Sequence, residues 1–466
     1  MKQLLKIVSF GCIGVLVTVL IAATLIENIY VLSFAVGQIY HSSWFIALWA
    51  LLAVTAMGYI MYTAKRPSLV LLHASLLVVL LGAFVSFLTS KRGDIAIAEN
   101  GAPASMFEMS DGTLQKLPFR MQLADVDTVY SDNGAVTGYS ASIIADTVLY
   151  TVSLNVPAKI NGYQFCIKSV DNGNLSLLVS HDPIGRPISY LGYAMVFISF
   201  LLLFFDRKSG FNALLRQVRG KNGKSVKAYV KKERDIMSLG ILARRMWVAL
   251  PLSFLFLCIL WYSRGVFPAA NVAEALLLLA VVLTLLAVVL RRVGQFVLLS
   301  RLLVVVAAMF FVVAALGLDG DSDVQPILRT PLLGIHVTTI IIAYALLACT
   351  AVNAVVALCQ KDAKKRAQQA LLGRLLLYPA TMLLASGIFI GAVWANLSWG
   401  RYWGWDPKEV WALVTLLVCS IGFHSHSLRF FSKPKAFHIF CIVAFLAVLF
   451  TYFGVSYLLG GLHSYA

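Results

Sequence analysis

Apolar residues run almost unbroken through stretch after stretch of this chain, at lengths near 20 residues, with short polar joints between them. Each run is long enough to cross roughly 30 Å of hydrocarbon as a helix. About eleven can be marked, at 4–25, 44–62, 69–89, 188–205, 246–262, 271–290, 297–316, 335–358, 375–395, 410–427 and 437–457. The first also has the make-up of a signal peptide, with Lys2 and Lys6 ahead of an apolar stretch. It is long for one and lacks a clear small-residue cleavage site, so it is read as a helix. One segment breaks the pattern. Between the third and fourth runs, residues 93–186 carry strand-like, partly alternating stretches such as YTVSLNV and YQFCIKSV. Asp132-Asn133-Gly134, Asn161-Gly162 and Asp171-Asn172-Gly173 supply turns between them. The pattern predicts an α-helical polytopic membrane protein with about eleven transmembrane helices and a small β-rich extracytoplasmic insert, packed as a sandwich or open barrel.

Composition agrees with that class. The chain is 60% hydrophobic and 13% charged, where a soluble protein carries about 25% charged residues. Most of its 38 Lys and Arg fall on the side that holds the N-terminus. Only four acids, Asp206, Glu233, Asp235 and Asp362, lie with them. The positive-inside rule then puts the N-terminus on the cytoplasmic side and the C-terminus outside; the expected location is a bacterial inner membrane, with the C-terminus in the periplasm. The basic segment 207–234 reads as a cytoplasmic loop near anionic lipid headgroups rather than a nucleic-acid patch. Three parts follow: a first half, 1–205; a basic cytoplasmic linker, 206–245; and a second half with seven helices, 246–466. Neither half shows an internal repeat. Seven cysteines include no C-x-x-C and no C-x-x-C-H, so the chain carries neither a redox dithiol nor a covalent c-type haem of its own.

Chemistry concentrates in WANLSWGRYWGWDPKEVW, 394–411, an outer loop between two runs. An aromatic belt at the membrane interface explains one or two Trp per helix end. It does not explain Trp394, Trp399, Trp403, Trp405 and Trp411 together, with Gly400 and Gly404 letting backbone lie close to something flat. An aromatic platform for a large planar ligand explains them better. Asp406, Pro407 and Glu409 also have the residue types and spacing of a helix start. That electropositive helix end, with Arg401 and Lys408 nearby, suits carboxylates such as haem propionates.

Histidines narrow the ligand. His336 in TPLLGIHV and His463 in GGLHSYA flank the loop on its own side. Singly, either is an ordinary interfacial residue; together, two imidazoles can ligate haem iron axially. No Cys, Asp or Glu stands near them in zinc spacing. His73 lies roughly 7 Å into the third run, and His424 roughly 20 Å below the outer loop, at 1.5 Å per residue. Both reach a similar level from opposite halves. The alternatives there are a bis-histidine haem site and two histidines bonded to neighbouring helices. His41 and His438 read as interfacial, His181 as surface, and His426 as a bystander near the headgroups. Hydrolysis and ATP-driven transport have no residues to carry them, since no Ser/His/Asp triad or phosphate loop is present.

WGRYWGWDPKEVWAL resembles the tryptophan-rich WWD signature of the haem-handling proteins of cytochrome c maturation. PLLGIHV, FHSH and the terminal YFGVSYLLGGLHSYA resemble the CcsA branch, and LLHASLLVVLLGA followed by GDIAIAENG resembles ResB (CcsB). The whole chain resembles a System II CcsB–CcsA fusion. That resemblance implies that haem b is taken up at His73 and His424 and held outside at His336 and His463. It implies a holocytochrome c synthase, a lyase-type enzyme that forms thioether bonds between haem and the C-x-x-C-H motif of apocytochrome c. Trp399, Trp403, Trp405 and Asp406 would frame the reacting haem, with Trp394, Gly400, Arg401, Lys408 and Trp411 completing its binding site. A thioredoxin-like thiol reductant is the other expected partner besides the lipid bilayer; no nucleic-acid partner is expected. Two departures stand out: the outer insert is much smaller than usual, and Leu416 stands where many relatives have Trp. The rival readings are a haem exporter or chaperone without ligase activity, and a bis-histidine haem b electron-transfer protein.

Overall fold

The computed structural model describes the chain except residues 31, 64–65, 100, 131–133, 135, 172, 221–250, 252–253, 260, 263–271, 292–295, 317–324, 426–427 and 460–466. Among the described residues, nine helices are long and apolar enough to cross a membrane, so the chain is a multi-pass membrane protein. The first half contributes α1 (Lys2–Tyr30), α2 (Ser43–Thr63), α3 (Pro67–Thr89) and α4 (Gly185–Phe205), with a short α5 (Gly210–Gly220) after it. The second half contributes α6 (Val272–Arg291), α7 (Val297–Leu316), α8 (Pro331–Cys359), α9 (Ala363–Trp399), α10 (Pro407–Phe423) and α11 (Pro434–Leu449). A π-helical turn, Phe450–Gly454, carries α11 on to Val455–Leu458. Of the expected span 246–262, the described residues 251, 254–259 and 261–262 are helical; its remaining residues and most of the basic linker lie outside the described residues. The expected span 410–427 is α10, which begins three residues early. Asp406 caps it, and Glu409 returns a bond to the cap backbone.

The expected insert is one eight-stranded antiparallel sheet: β1 (Lys91–Ala98), β2 (Ala104–Met109), β3 (Leu114–Tyr130), β4 (Val136–Ala145), β5 (Val148–Ser153), β6 (Ala158–Ile160), β7 (Tyr163–Asp171) and β8 (Asn174–His181). Spatial order is β5-β4-β3-β2-β1-β8-β7-β6. The edge strands β5 and β6 come back against each other, and Ser153 bridges Val156 between them. The sheet therefore curls into a barrel. Alternation along β3 sends Leu117, Phe119, Met121 and Leu123 inside with Phe107, Ile143 and Phe165, as period-2 strand geometry requires.

The barrel stands directly on two helices, because β1 follows α3 and β8 precedes α4. Those helices pack through small residues. A side chain added at Gly82 would strike Ser189, and one at Gly185 would strike Ser86. Such close approach is how helices associate where lipid offers no hydrophobic contrast. The two halves are packed into each other. Leu16 and Leu20 of α1 are buried with Val410 and Val414 of α10, while Tyr193 of α4 stacks on Phe389 of α9 at 4.6 Å.

Candidate functional site

Two histidines meet at the end of the bundle far from the barrel. His73 is in the second turn of α3, where its Nδ1 lies 2.8 Å from the Leu69 carbonyl. A carbonyl only accepts, so Nδ1 carries the proton and Nε2 presents a lone pair. His424 comes from the other half. The sequence reading carried this helix on to 427, but α10 stops at Phe423 and His424 is its C-cap. The two rings lie 6.3 Å apart, centre to centre, tilted by 59°. Phe10 of α1 stands edge-on to His424 at 5.3 Å. Imidazole nitrogens bind metals at about 2 Å, so two imidazoles sharing one iron sit with ring centres roughly 6 Å apart. Among the described residues no group of three or more His, Cys, Asp or Glu could hold a metal ion. The spacing of the pair suits the two axial positions of a haem, whose macrocycle supplies the other four donors.

The tryptophan segment lies at the barrel end. Only 400–406 of the expected 394–411 loop is non-helical. α9 continues through Trp399 and closes on Gly400, whose left-handed φ of 70° lets its N–H reach the Asn396 carbonyl. Trp394 is 2% exposed and packs with Leu328 and Ala395. Trp399 meets it edge to face at 4.9 Å. Trp405 stacks on Tyr40 at 4.3 Å, with Phe45 and Trp403 edge-on to it. Its φ of 59° is strained for a bulky residue. Glu409 holds it there by accepting the Gly404 N–H at 2.7 Å and the Asp406 N–H at 3.3 Å, one on each side. Trp411 is buried against Phe450 and donates Nε1–H to Thr24 of α1 at 3.1 Å. Trp405 and Trp411 thus join the two halves, while Trp399 and Trp403 stay half-buried at the barrel end. Lys408 donates its backbone N–H to Asp406, and the Arg401 guanidinium lies against Gly404.

His336 occupies the same end. Its Nδ1 is 2.7 Å from the Gly387 carbonyl, and Gly391 leaves the space its ring fills. One turn earlier, Leu332 and Leu333 pack with Trp394 and Trp399, so His336 and the tryptophans share one helical hairpin. His463 and His426 lie outside the described residues. His438, expected at an interface, is fully buried, with Nε2 3.3 Å from the Arg366 carbonyl. His181, expected on the surface, stacks on Tyr163 at 4.4 Å. Burial, with Lys91 and Arg186 nearby, holds its pKa below the usual value against the pull of Asp182.

The barrel is fastened to this end. Gln164 donates to the Asn396 carbonyl at 2.6 Å, and Ser398 donates to Asn155. Tyr402 donates to Ser86 at 2.6 Å, and Ser86 donates in turn to Asp182. The Cys166 thiol is buried against the Leu397 carbonyl, which raises its pKa.

Residues 269–463 match the cytochrome C assembly protein family, and residues 62–184 match the ResB-like family. The cytochrome c biogenesis protein CcsA of Chlamydomonas reinhardtii is 34% identical over 252 residues, which is 50% of this chain and 70% of that protein. The chain belongs to the CcsA family of cytochrome c assembly proteins, with a ResB-like part fused to it. Protein NrfI of Wolinella succinogenes is 46% identical over 84 residues, 18% of this chain but 9% of that protein. CcsA of Pyropia yezoensis is 48% identical over 83 residues, 18% of this chain and 26% of its own length. Those two relatives are thus matched over less than a third of their length.

Four of the partners missed from sequence sit in the first half of the chain, across a contact with the CcsA-like part. Thr24, Tyr40, Ser86 and Gln164 answer Trp411, Trp405, Tyr402 and Asn396. Of these eight, only the residues inside the tryptophan motif carried a signal, because a single polar residue in an apolar run does not name its partner.

Proposed function

We propose that the chain is a cytochrome c synthetase of an inner membrane, with its barrel on the outer face. Haem taken up between His73 and His424 moves outward to His336 and His463 beside the tryptophans, and there reacts with apocytochrome c. Each thiol of the client C-x-x-C-H motif adds across one haem vinyl group. The S–H bond breaks, sulfur bonds to the vinyl carbon next to the ring, and the proton ends on the terminal carbon, with no net oxidation. A thioredoxin-like reductant keeps the client thiols reduced. The protein contributes position: vinyl beside thiol, iron held by imidazole, water kept away by aromatic rings.

One observation supports most of this reading: His73 and His424, from different family segments, lie with ring centres 6.3 Å apart, a separation that suits two imidazoles on one iron. A haem exporter without ligase activity would use the same ligands, and the two separate on product. The chain is co-expressed with a C-x-x-C-H client in cells stripped of their own maturation proteins. Covalently haem-bound client is expected; free haem export without it would defeat the synthetase reading.

A further inference from the structure

Where barrel, ResB-like helices and tryptophan loop meet, three arginines converge. Arg92 comes from β1, Arg186 from the first turn of α4, and Arg401 from the loop. Ser180 is their common neighbour: Arg92 lies opposite it in the β1–β8 ladder, Arg186 donates to its hydroxyl, and Gly400, next to Arg401, lies against it. Burial pulls the pKa of Arg92 down; Tyr402 and Asp182 oppose this, and Arg401 and Arg186 reinforce it. Counter-charge is scarce. The acid interacting with this group is Asp182, which is buried, and both its oxygens are in use. Oδ2 accepts from Ser86, and Oδ1 accepts the Gly185 N–H at 3.0 Å. None of the three arginines forms an ion pair with a carboxylate among the described residues.

Their donors are only partly met. Arg186 reaches Gln164 at 2.7 Å and Ser180 at 3.0 Å through its two terminal nitrogens. The Nε groups of Arg92 and Arg186 are buried without a partner among the described residues. A buried charged donor without a partner is expensive, and two of them lie side by side here. A guanidinium presents a planar fork that fits the two oxygens of a carboxylate or phosphate.

We infer that Arg92 and Arg186 of the ResB-like part, with Arg401 of the loop, form an anion site that takes the propionate carboxylates of haem presented at the tryptophans. The inference rests on haem being the substrate. It assigns the ResB-like part a direct role in orienting that substrate: carboxylates turned toward the barrel leave the opposite, vinyl-bearing edge of the ring pointing away from it. Arg401 lies on Gly404, so the loop's guanidinium is already held beside the aromatic segment.

The test is titration of the full chain in detergent with haem b and with its dimethyl ester, read by Soret absorbance. The ester keeps iron, vinyls and ring but has no carboxylate. For the unaltered protein, haem is expected to bind at least about tenfold more tightly than the ester. In the Arg92→Gln, Arg186→Gln double variant that ratio is expected to fall to near one with ester affinity unchanged, which also reports that the variant is folded. Arg92→Lys keeps the charge but not the fork and should give an intermediate ratio. A ratio near one in the unaltered protein, or a ratio kept in the double variant, overturns the inference while leaving haem binding intact. Binding of neither ligand to the unaltered protein overturns the haem reading itself, and the anion site with it. If phosphatidylglycerol in the micelle abolishes the discrimination, the arginines serve a lipid phosphate and the assignment to haem is wrong.

Discussion

Gly391→Ala puts one methyl group where the imidazole of His336 lies. A Cβ at that position would stand 2.6 Å from both Cε1 and Nδ1 of the ring. Carbon atoms rest at about 3.5–4.0 Å, so the ring must retreat by roughly 1 Å. Nδ1 is 2.7 Å from the Gly387 carbonyl, and a retreat of that size breaks the bond. Overpacking costs about 1–3 kcal/mol and the lost hydrogen bond about 1 kcal/mol. Alanine returns about 1 kcal/mol over glycine in a helix. A net loss of roughly 1–3 kcal/mol remains. Gly11 of α1 is the matched control, because nothing lies within 4 Å of an added Cβ there. Gly11→Ala should instead gain about 0.5–1 kcal/mol. Thermal unfolding of both variants in detergent gives the two signs, and the Soret band of co-purified haem reports the ligand shift at His336. If Gly391→Ala matches Gly11→Ala in stability and leaves the haem spectrum unchanged, His336 is not seated against α9 in the way described.

Three further outcomes follow from the same geometry. His424→Gly should leave His73 unable to hold six-coordinate iron alone, so haem bound at that pair is lost; full haem content with an unchanged spectrum in both His73→Gly and His424→Gly would rule the pair out. Trp411→Phe removes the Nε1–H donated to Thr24, for about 1 kcal/mol by loss of one hydrogen bond, and double-mutant analysis with Thr24→Val should show the two losses are not additive. His181 has a pKa depressed by burial and by Lys91 and Arg186. The unfolded chain therefore binds its proton more readily, and stability falls as pH drops through the usual histidine range near 6.5. His181→Gln should flatten that part of the stability–pH curve, measured by unfolding between roughly pH 5 and 7.5; an unchanged slope would mean the ring is not desolvated.

Some features needed only local information. Apolar run length identified the helices, and the Asp406-Pro407-x-Glu409 spacing announced the start of α10, where both bonds of the capping box are made. Turn residues and alternation marked the β insert. These depend on interactions within a few residues, and a linear string displays them. Which helix face meets which is a different matter. A helix apolar on every side has no stripe to orient it, so the sequence could put His73 and His424 at one depth but not decide whether they meet. In the folded chain His424, the C-cap of α10, lies 6.3 Å from His73 of α3. Five tryptophans in one segment read as one surface, yet tertiary contacts send Trp411 to Thr24 and Trp405 to Tyr40 and leave Trp399 and Trp403 toward the barrel end. The barrel's closure, and the meeting of Arg92, Arg186 and Arg401, likewise join residues distant in sequence. A string of residues records which groups are present and how they begin and end their elements. The folded chain decides which of them are close enough to share an iron, a proton or a charge, because those forces act over a few ångströms of space and take no account of separation along the chain.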